Sequence, residues 1–218
     1  MTQNYIPVGD SETAAVDAAI TSRHSVRGFL PTPIPRETIE DILRVASRSP
    51  SGSDTQPWEV AVVTGESRRE LSKRALAAHA AAPRNGVYQG DYEYYPLKWT
   101  SPYIDRRRAL GWEMYRLAGI AKGDKDKMHA QHARNYEFFG APVGLLFSLD
   151  RILELGSWID CGAFVQSVMI AARGRGIDTC AQAAWGDYSK VVMDFIGSPD
   201  SDILMCGMAM VTPTARRR

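Results

Sequence analysis

The sequence predicts a fold of the α+β or α/β class, a small sheet flanked by helices. Two observations carry this. Long segments with apolar residues at helical spacing alternate with short apolar runs that stop at glycine or proline. Hairpin signals are few, so the strands are not joined by tight turns. The 218 residues suit a single domain with a sizeable core, and 44% hydrophobic with 23% charged residues is ordinary globular composition.

The elements follow in order. Residues 11–23 form an alanine-rich helix. In PIPRETIEDILRVASRSP, Pro35 suits a first helical turn and Ile39, Ile42, Leu43 and Ala46 recur on one face. That helix ends before Pro50. WEVAVVT, 58–64, is a strand closed by Gly65, and 66–82 is a helix stopped by Pro83. Residues 83–103 are rich in tyrosine, glycine and proline, and a loop of that length is often functional. Helices near 104–121 and 124–138 complete an excursion over 83–138 from one domain spanning 1–218. Gly140, Ala141 and Pro142 break the chain before the buried strand VGLLFSL. Residues 156–175 form the longest helix, apolar on most faces and hence central. A short helix over 187–196, with Asp187 as N-cap, precedes a last strand, DILMCGMAM, at 202–210.

Several function classes are excluded. A net charge of +1 provides no general electrostatic case for nucleic acid or an anionic membrane. No apolar run approaches the roughly 20 residues of a membrane span, and the N-terminus lacks the pattern of a signal peptide. Cys161, Cys180 and Cys206 are widely spaced with no CxxC, as expected of a reduced cytoplasmic protein with buried thiols. The four histidines form no HExxH or other metal set, and His129 and His132, beside Asp126 and Lys127, read as a solvated helix face. There is no P-loop, no GxGxxG around Gly174 and Gly176, and no GxSxG.

Three stretches stand out. RHSVRGF, 23–29, packs two arginines and a hydroxyl just past a helix, where basic residues could simply meet the dipole. SPSGSDTQPW, 49–58, is either a plain turn or a polar loop that hydrogen-bonds a flat heteroaromatic ligand. GIDTCAQAAW, 176–185, has small residues that permit either close packing or approach of backbone N–H groups to a ligand edge.

In this order and spacing, followed by CGMAM, the stretches resemble the FMN-dependent nitroreductase family. The resemblance covers nearly the whole chain. It extends to YPLKWTSPYIDRRRALGWEMYRLAGI, NYEFFGAPVGLLF and GSWIDCGAFVQSVMIAARGRGIDTCAQAA, segments characteristic of the larger members. It implies an α+β three-layer sandwich with a small mixed sheet, in an interlocked homodimer whose FMN sites are built from both chains. Arg23 and Ser25 are then expected at the phosphate and ribityl chain, with His24 assisting. Arg27 is expected at the pyrimidine edge, where a fixed guanidinium favours the reduced, negatively charged cofactor. Pro50, Ser51, Gly52, Asp54 and Gln56 match the loop from the partner subunit. Gln182, Ala183 and Ala184 match the segment near flavin N5, with Cys180 in the same stretch. Asp54 stands where the family pattern has asparagine. Arg216 and Arg218 are candidates for further phosphate charge.

The activity so implied passes hydride from NADH or NADPH through FMN to a nitroaromatic or quinone, without a catalytic side chain of the protein. Other flavin chemistry on this fold (reductive dehalogenation, enone reduction, dehydrogenation) and a non-catalytic flavin protein remain open at this point. Among the aromatic residues of the excursion, Tyr88, Tyr95, Trp99, Tyr103 and Trp112 are candidates to stack on a small aromatic acceptor.

Overall fold

The computed structural model describes residues 9–28, 32–82 and 90–212. Its helices are α1 (Asp10–Ser22), α2 (Arg36–Ala46), α3 (Gly65–Ala81), α4 (Tyr103–Leu117), α5 (Lys125–Ala133), α6 (Leu155–Gly174) and α7 (Ser189–Ile196). The strands are β1 (Glu59–Thr64), β2 (Val143–Asp150), β3 (Asp178–Gln182) and β4 (Asp202–Val211), in the sheet order β1-β2-β4-β3.

All three ladders are antiparallel. The expected mixed sheet therefore reduces to one parallel bridge, Ser25 to Thr179. The reason is topological. β2 and β3 run parallel, joined by the crossover helix α6, but β4 inserts between them and is antiparallel to both. Residues 176–185, read from sequence only for their small side chains, supply the edge strand β3.

The three layers follow from period-2 alternation. Val143, Leu145, Phe147 and Leu149 of β2 face α2 and α6, where Ile39, Ile42, Phe164 and Val168 complete one core. Leu146 faces the other way, toward Leu71 and Ala75 of α3 and Val192 of α7. On β4 the parity slips: Ile203 and Met205 share a face with Met208 and Met210. Phe147 pairs with Cys206 and Ser148 with Leu204, so Met205 is an extra residue, a bulge that resets the alternation.

α6 is 20 residues long, with a mean hydropathy of 1.3. By length and composition it could cross a membrane, which corrects the expectation that no run comes close. Here one face is buried, with Cys161, Phe164, Val168 and Ala172 against the sheet, while Leu155 and Ile159 are exposed, so the helix is less central than its composition implies. The N-cap assigned to Asp187 is also corrected. A 3₁₀ turn, Ala183–Tyr188, precedes α7, and the Asp187 carboxylate accepts from the Tyr136 hydroxyl at 3.3 Å.

Two strand glycines make room for rings. A Cβ on Gly207 would lie 2.3 Å from Cδ1 of Trp185, and one on Gly144 would lie 2.4 Å from the Phe138 ring. These two rings pack together at 4.5 Å between centroids. Gly207→Ala is therefore expected to cost about 1–3 kcal/mol by overpacking. Denaturant unfolding checks this, and an unchanged midpoint would show that the Trp185 ring yields.

The face of α5 that sequence reads as solvated is exposed at Asp126, Lys127 and His132, and half-buried at His129, where it meets α3. His129 stacks on His79 of α3 at 4.0 Å, and His132 lies 5.6 Å from His79. His79 Nδ1 lies 3.0 Å from the Tyr188 hydroxyl, and the His79 ring tilts against Tyr136. Burial, with the neighbouring His129, holds His79 below the usual histidine range. The unfolded chain then takes up the proton first as pH falls. Stability is complete above about pH 6.5 and declines below it. Melting scans at pH 7.5 and 5.5 should show this decline, smaller in His79→Gln than in the native chain.

Candidate functional site

α1 stops at Ser22, and Arg23 turns extended with φ −69° and ψ 132°. The basic stretch begins at the C-cap, Arg23, and the last turn of α1 holds no basic residue. It leaves the helix and lies along β3, with Ser25 bridging Thr179 and the Val26 N–H donating to the Thr179 carbonyl at 3.3 Å. His24 Nδ1 lies 3.1 Å from the Ser22 carbonyl, folded back on the helix end.

One ion pair sets the angle of this exit. Arg173, in the last turn of α6, reaches Ser22 Oγ and Asp178 Oδ1, each at 2.8 Å. The Arg173 and Asp178 side chains are 19% and 10% exposed. The pair therefore pins the ends of α1 and α6 and the start of β3 together, largely out of water. No motif in the sequence marks Arg173 for this role.

The extended run passes alongside Cys180 of β3. Burial pushes the Cys180 thiol up, while the Arg27 charge, a Ser25 hydrogen bond and the Arg23 charge pull it down. Arg23 is half-buried, whereas His24, Ser25 and Arg27 are exposed. Neither Arg23 nor Arg27 has a carboxylate partner among the described residues. Gln182, at the end of β3, is buried and donates from Nε2 to the Asn135 carbonyl at 2.8 Å. Its Oε1 and the neighbouring Thr179 Oγ1 have no partner among the described residues. Ala183 and Ala184 follow in the half-buried opening of the 3₁₀ turn. Two uncompensated guanidiniums and a buried free acceptor on one strand end fit a ligand that is anionic and also carries hydrogen-bond donors. FMN has that character.

The loop Pro50–Gln56 is built separately. Its 3₁₀ turn, Gly52–Asp54, hangs on α6: the Gly52 N–H donates to Asp160 Oδ2 at 3.0 Å, and Ser49 Oγ donates to Ser167 Oγ at 2.7 Å. Ser51 Oγ accepts from the Gln56 N–H at 3.0 Å. Ser53, Asp54 and Gln56 hold φ of 54°, 57° and 45°. The Asp54 carboxylate accepts from the Gln56 side-chain amide at 3.0 Å, with no arginine or lysine paired to it among the described residues. At about 1.5 Å per residue, Asp160 and Arg173 lie about 20 Å apart along α6. The Ser49 anchor at Ser167 lies about 9 Å from Arg173 by the same rise.

The excursion supplies the wall beside Arg27. A cleft of about 50 Å³ is lined by Arg27, Met114, Tyr115, Gln131, His132, Asn135 and Phe139. Among the described residues, none of the candidates Tyr95, Trp99, Tyr103 and Trp112 is there. Arg107 lies over the rings of Tyr95 and Trp99, at 5.3 and 5.0 Å. Trp112 packs beside Tyr115 and under Lys122, and Tyr103 is exposed. Tyr88, Arg216 and Arg218 lie outside the described residues. Met114 and Tyr115, one helical turn from the lines of aromatics, carry no sequence signal that separates them from their neighbours. Below the cleft, Phe138 and Phe139 have φ of 50° and 54°, a conformation that costs bulky residues about 1–3 kcal/mol each. A cavity of about 750 Å³ opens between α2, β1 and the start of α3 and is lined by none of the predicted site residues.

Comparison with known proteins matches residues 20–210 to the nitroreductase family. The chain is 38% identical to the 4-nitrobenzoate reductase of Nocardioides sp. (strain LMS-CY) over 197 residues, covering 90% of this chain and 79% of that protein. Among solved structures it superposes on the FMN and NADPH-dependent nitroreductase NfnB of Sphigopyxis sp. strain HMH. The TM-score is 0.85 at 37% identity, covering 90% of this chain and 87% of that one. A second, the FMN-dependent nitroreductase NfnB of Mycobacterium smegmatis in complex with NADPH, gives a TM-score of 0.84 at 27% identity, over 94% and 95% of the two chains.

Proposed function

The chain belongs to the nitroreductase family, and from that premise we propose that it is an FMN-dependent NAD(P)H oxidoreductase that reduces nitroaromatic acceptors. The observation that carries this reading is the extended run after α1, which bridges to β3 at Thr179 and brings Arg23, Ser25 and Arg27, without carboxylate partners among the described residues, alongside that strand. FMN, when bound, supplies two-electron hydride transfer at N5 between the nicotinamide and the acceptor. The protein's part is to bind, orient and tune.

Arg23 and Ser25 hold the phosphate and ribityl end, with His24 beside them. Arg27 presents a charge to the pyrimidine edge. The backbone of Ala183 and Ala184, with Gln182, borders the reactive edge. NADPH is the donor we favour, since both superposed relatives are named for it. Three free thiols suit a reducing compartment such as the cytoplasm.

The site needs a second copy. The Gly52 anchor of the loop and the anchor of the α1 end lie about 20 Å apart along α6, a spacing that suits a site shared between two chains. Leu155 and Ile159 of α6 and Val16 and Ile20 of α1 are exposed, an apolar surface suited to burial against a partner. In the homodimer, Pro50, Ser51, Gly52, Asp54 and Gln56 of one chain complete the site of the other. The excursion, with Tyr115 and Met114 beside Arg27, shapes the acceptor side of the single domain.

The purified protein is expected to be yellow, with the spectrum of oxidised flavin. NADPH under argon should bleach it, and a nitroaromatic should restore the colour. A colourless protein that takes up no added FMN overturns the reading. Sedimentation at the monomer mass overturns the shared site.

A further inference from the structure

The turn Arg134–Gly140 touches both segments proposed to hold FMN. Arg134 Nη2 donates to the Arg27 carbonyl at 3.0 Å, and the Asn135 carbonyl accepts from Gln182 at 2.8 Å. The Arg27 and Arg134 guanidiniums both lie over the Phe139 ring, 6.0 and 5.7 Å from its centroid. Like charges sharing one ring repel, and among the described residues no carboxylate is paired with either. The arrangement is nonetheless enforced. The Phe138 ring occupies the space that Gly144 leaves open and packs on Trp185. The backbone continues left-handed through Phe139, which sets that ring under the two arginines.

Arg27 itself is exposed, and its side chain has no acidic group to hold it. From its surroundings it receives the Phe139 face and the Arg134 donor. We infer that Arg134 is a positioning residue. It braces the backbone of Arg27, whose guanidinium lies on the Phe139 ring, so that the charge faces the anionic edge of reduced FMN. This rests on the reading that Arg27 faces that edge. Arg134 contributes by fixing Arg27 and does not itself contact the cofactor. An interaction made only with the reduced form shifts the ratio of the two dissociation constants, and hence the potential.

The experiment is a double-mutant cycle on the holoprotein, with Arg27→Ala, Arg134→Met and the pair. FMN dissociation constants and midpoint potentials are measured for each. Arg134→Met is expected to weaken binding of reduced FMN about tenfold more than binding of oxidised FMN. That corresponds to a fall of about 30 mV for a two-electron couple. In the Arg27→Ala background, Arg134→Met should lower the potential no further. An Arg134→Met protein that binds FMN with an unchanged potential overturns the inference and leaves the Arg27 reading standing. Additive falls in the pair overturn it too, because Arg134 would then act by itself. If Arg27→Ala leaves the potential unmoved, both readings fail. Arg134→Gln carries the same cycle should Arg134→Met not fold.

Discussion

Arg27→Ala is expected to lower the two-electron potential of the bound flavin by about 30–65 mV, from a charge-assisted contact of about 1.5–3 kcal/mol and about 30 mV per 1.4 kcal/mol. The lower figure applies if the guanidinium makes one contact with the reduced form, the higher if it makes a forked pair. Arg23→Ala should behave differently. It removes a charge from the phosphate end, which is the same in both redox states, so the affinity for FMN falls in both and the potential holds. Redox titration and fluorescence titration of the two variants separate these roles. A potential that falls in Arg23→Ala and holds in Arg27→Ala would exchange the assignments.

Arg173→Met is expected to destabilise the fold by about 3 kcal/mol, because it leaves the Asp178 carboxylate largely buried without its cation. For a chain of this size, that is a fall in melting temperature of about 6–12 °C. It should also weaken FMN binding, since Ser22, the other partner of Arg173, sets where Arg23 leaves the helix. Adding Asp178→Asn should recover part of the stability by removing the stranded charge. It should not recover FMN affinity, because the Ser22 contact is still missing. Calorimetry with FMN-free protein, paired with FMN titration, tests both halves. Full recovery of affinity in the double variant would place the effect at Asp178 alone.

The sequence by itself determined most elements and the family. Helical spacing in Ile39, Ile42, Leu43 and Ala46 predicts the face that α2 buries, and the apolar run of β2 predicts a strand covered on both sides. These are local signals, since each follows from the period of one element. The candidate residues at 23–27, 50–56 and 182–184 were legible as motifs by order and spacing. Their arrangement was not. The insertion of β4 between β2 and β3 is a choice among pairings that strand sequences barely distinguish, so the mixed sheet became antiparallel with one parallel bridge. The Arg173–Asp178 pair, the docked His129 and the two arginines over Phe139 join residues from separate elements. The period of one element carries no signal for contacts made between elements. Tertiary structure alone decided that the loop at 50–56 hangs on α6 at Asp160 and Ser167 while the end of α1 is tied to Arg173, because side chains of separate elements meet only once the helices are packed.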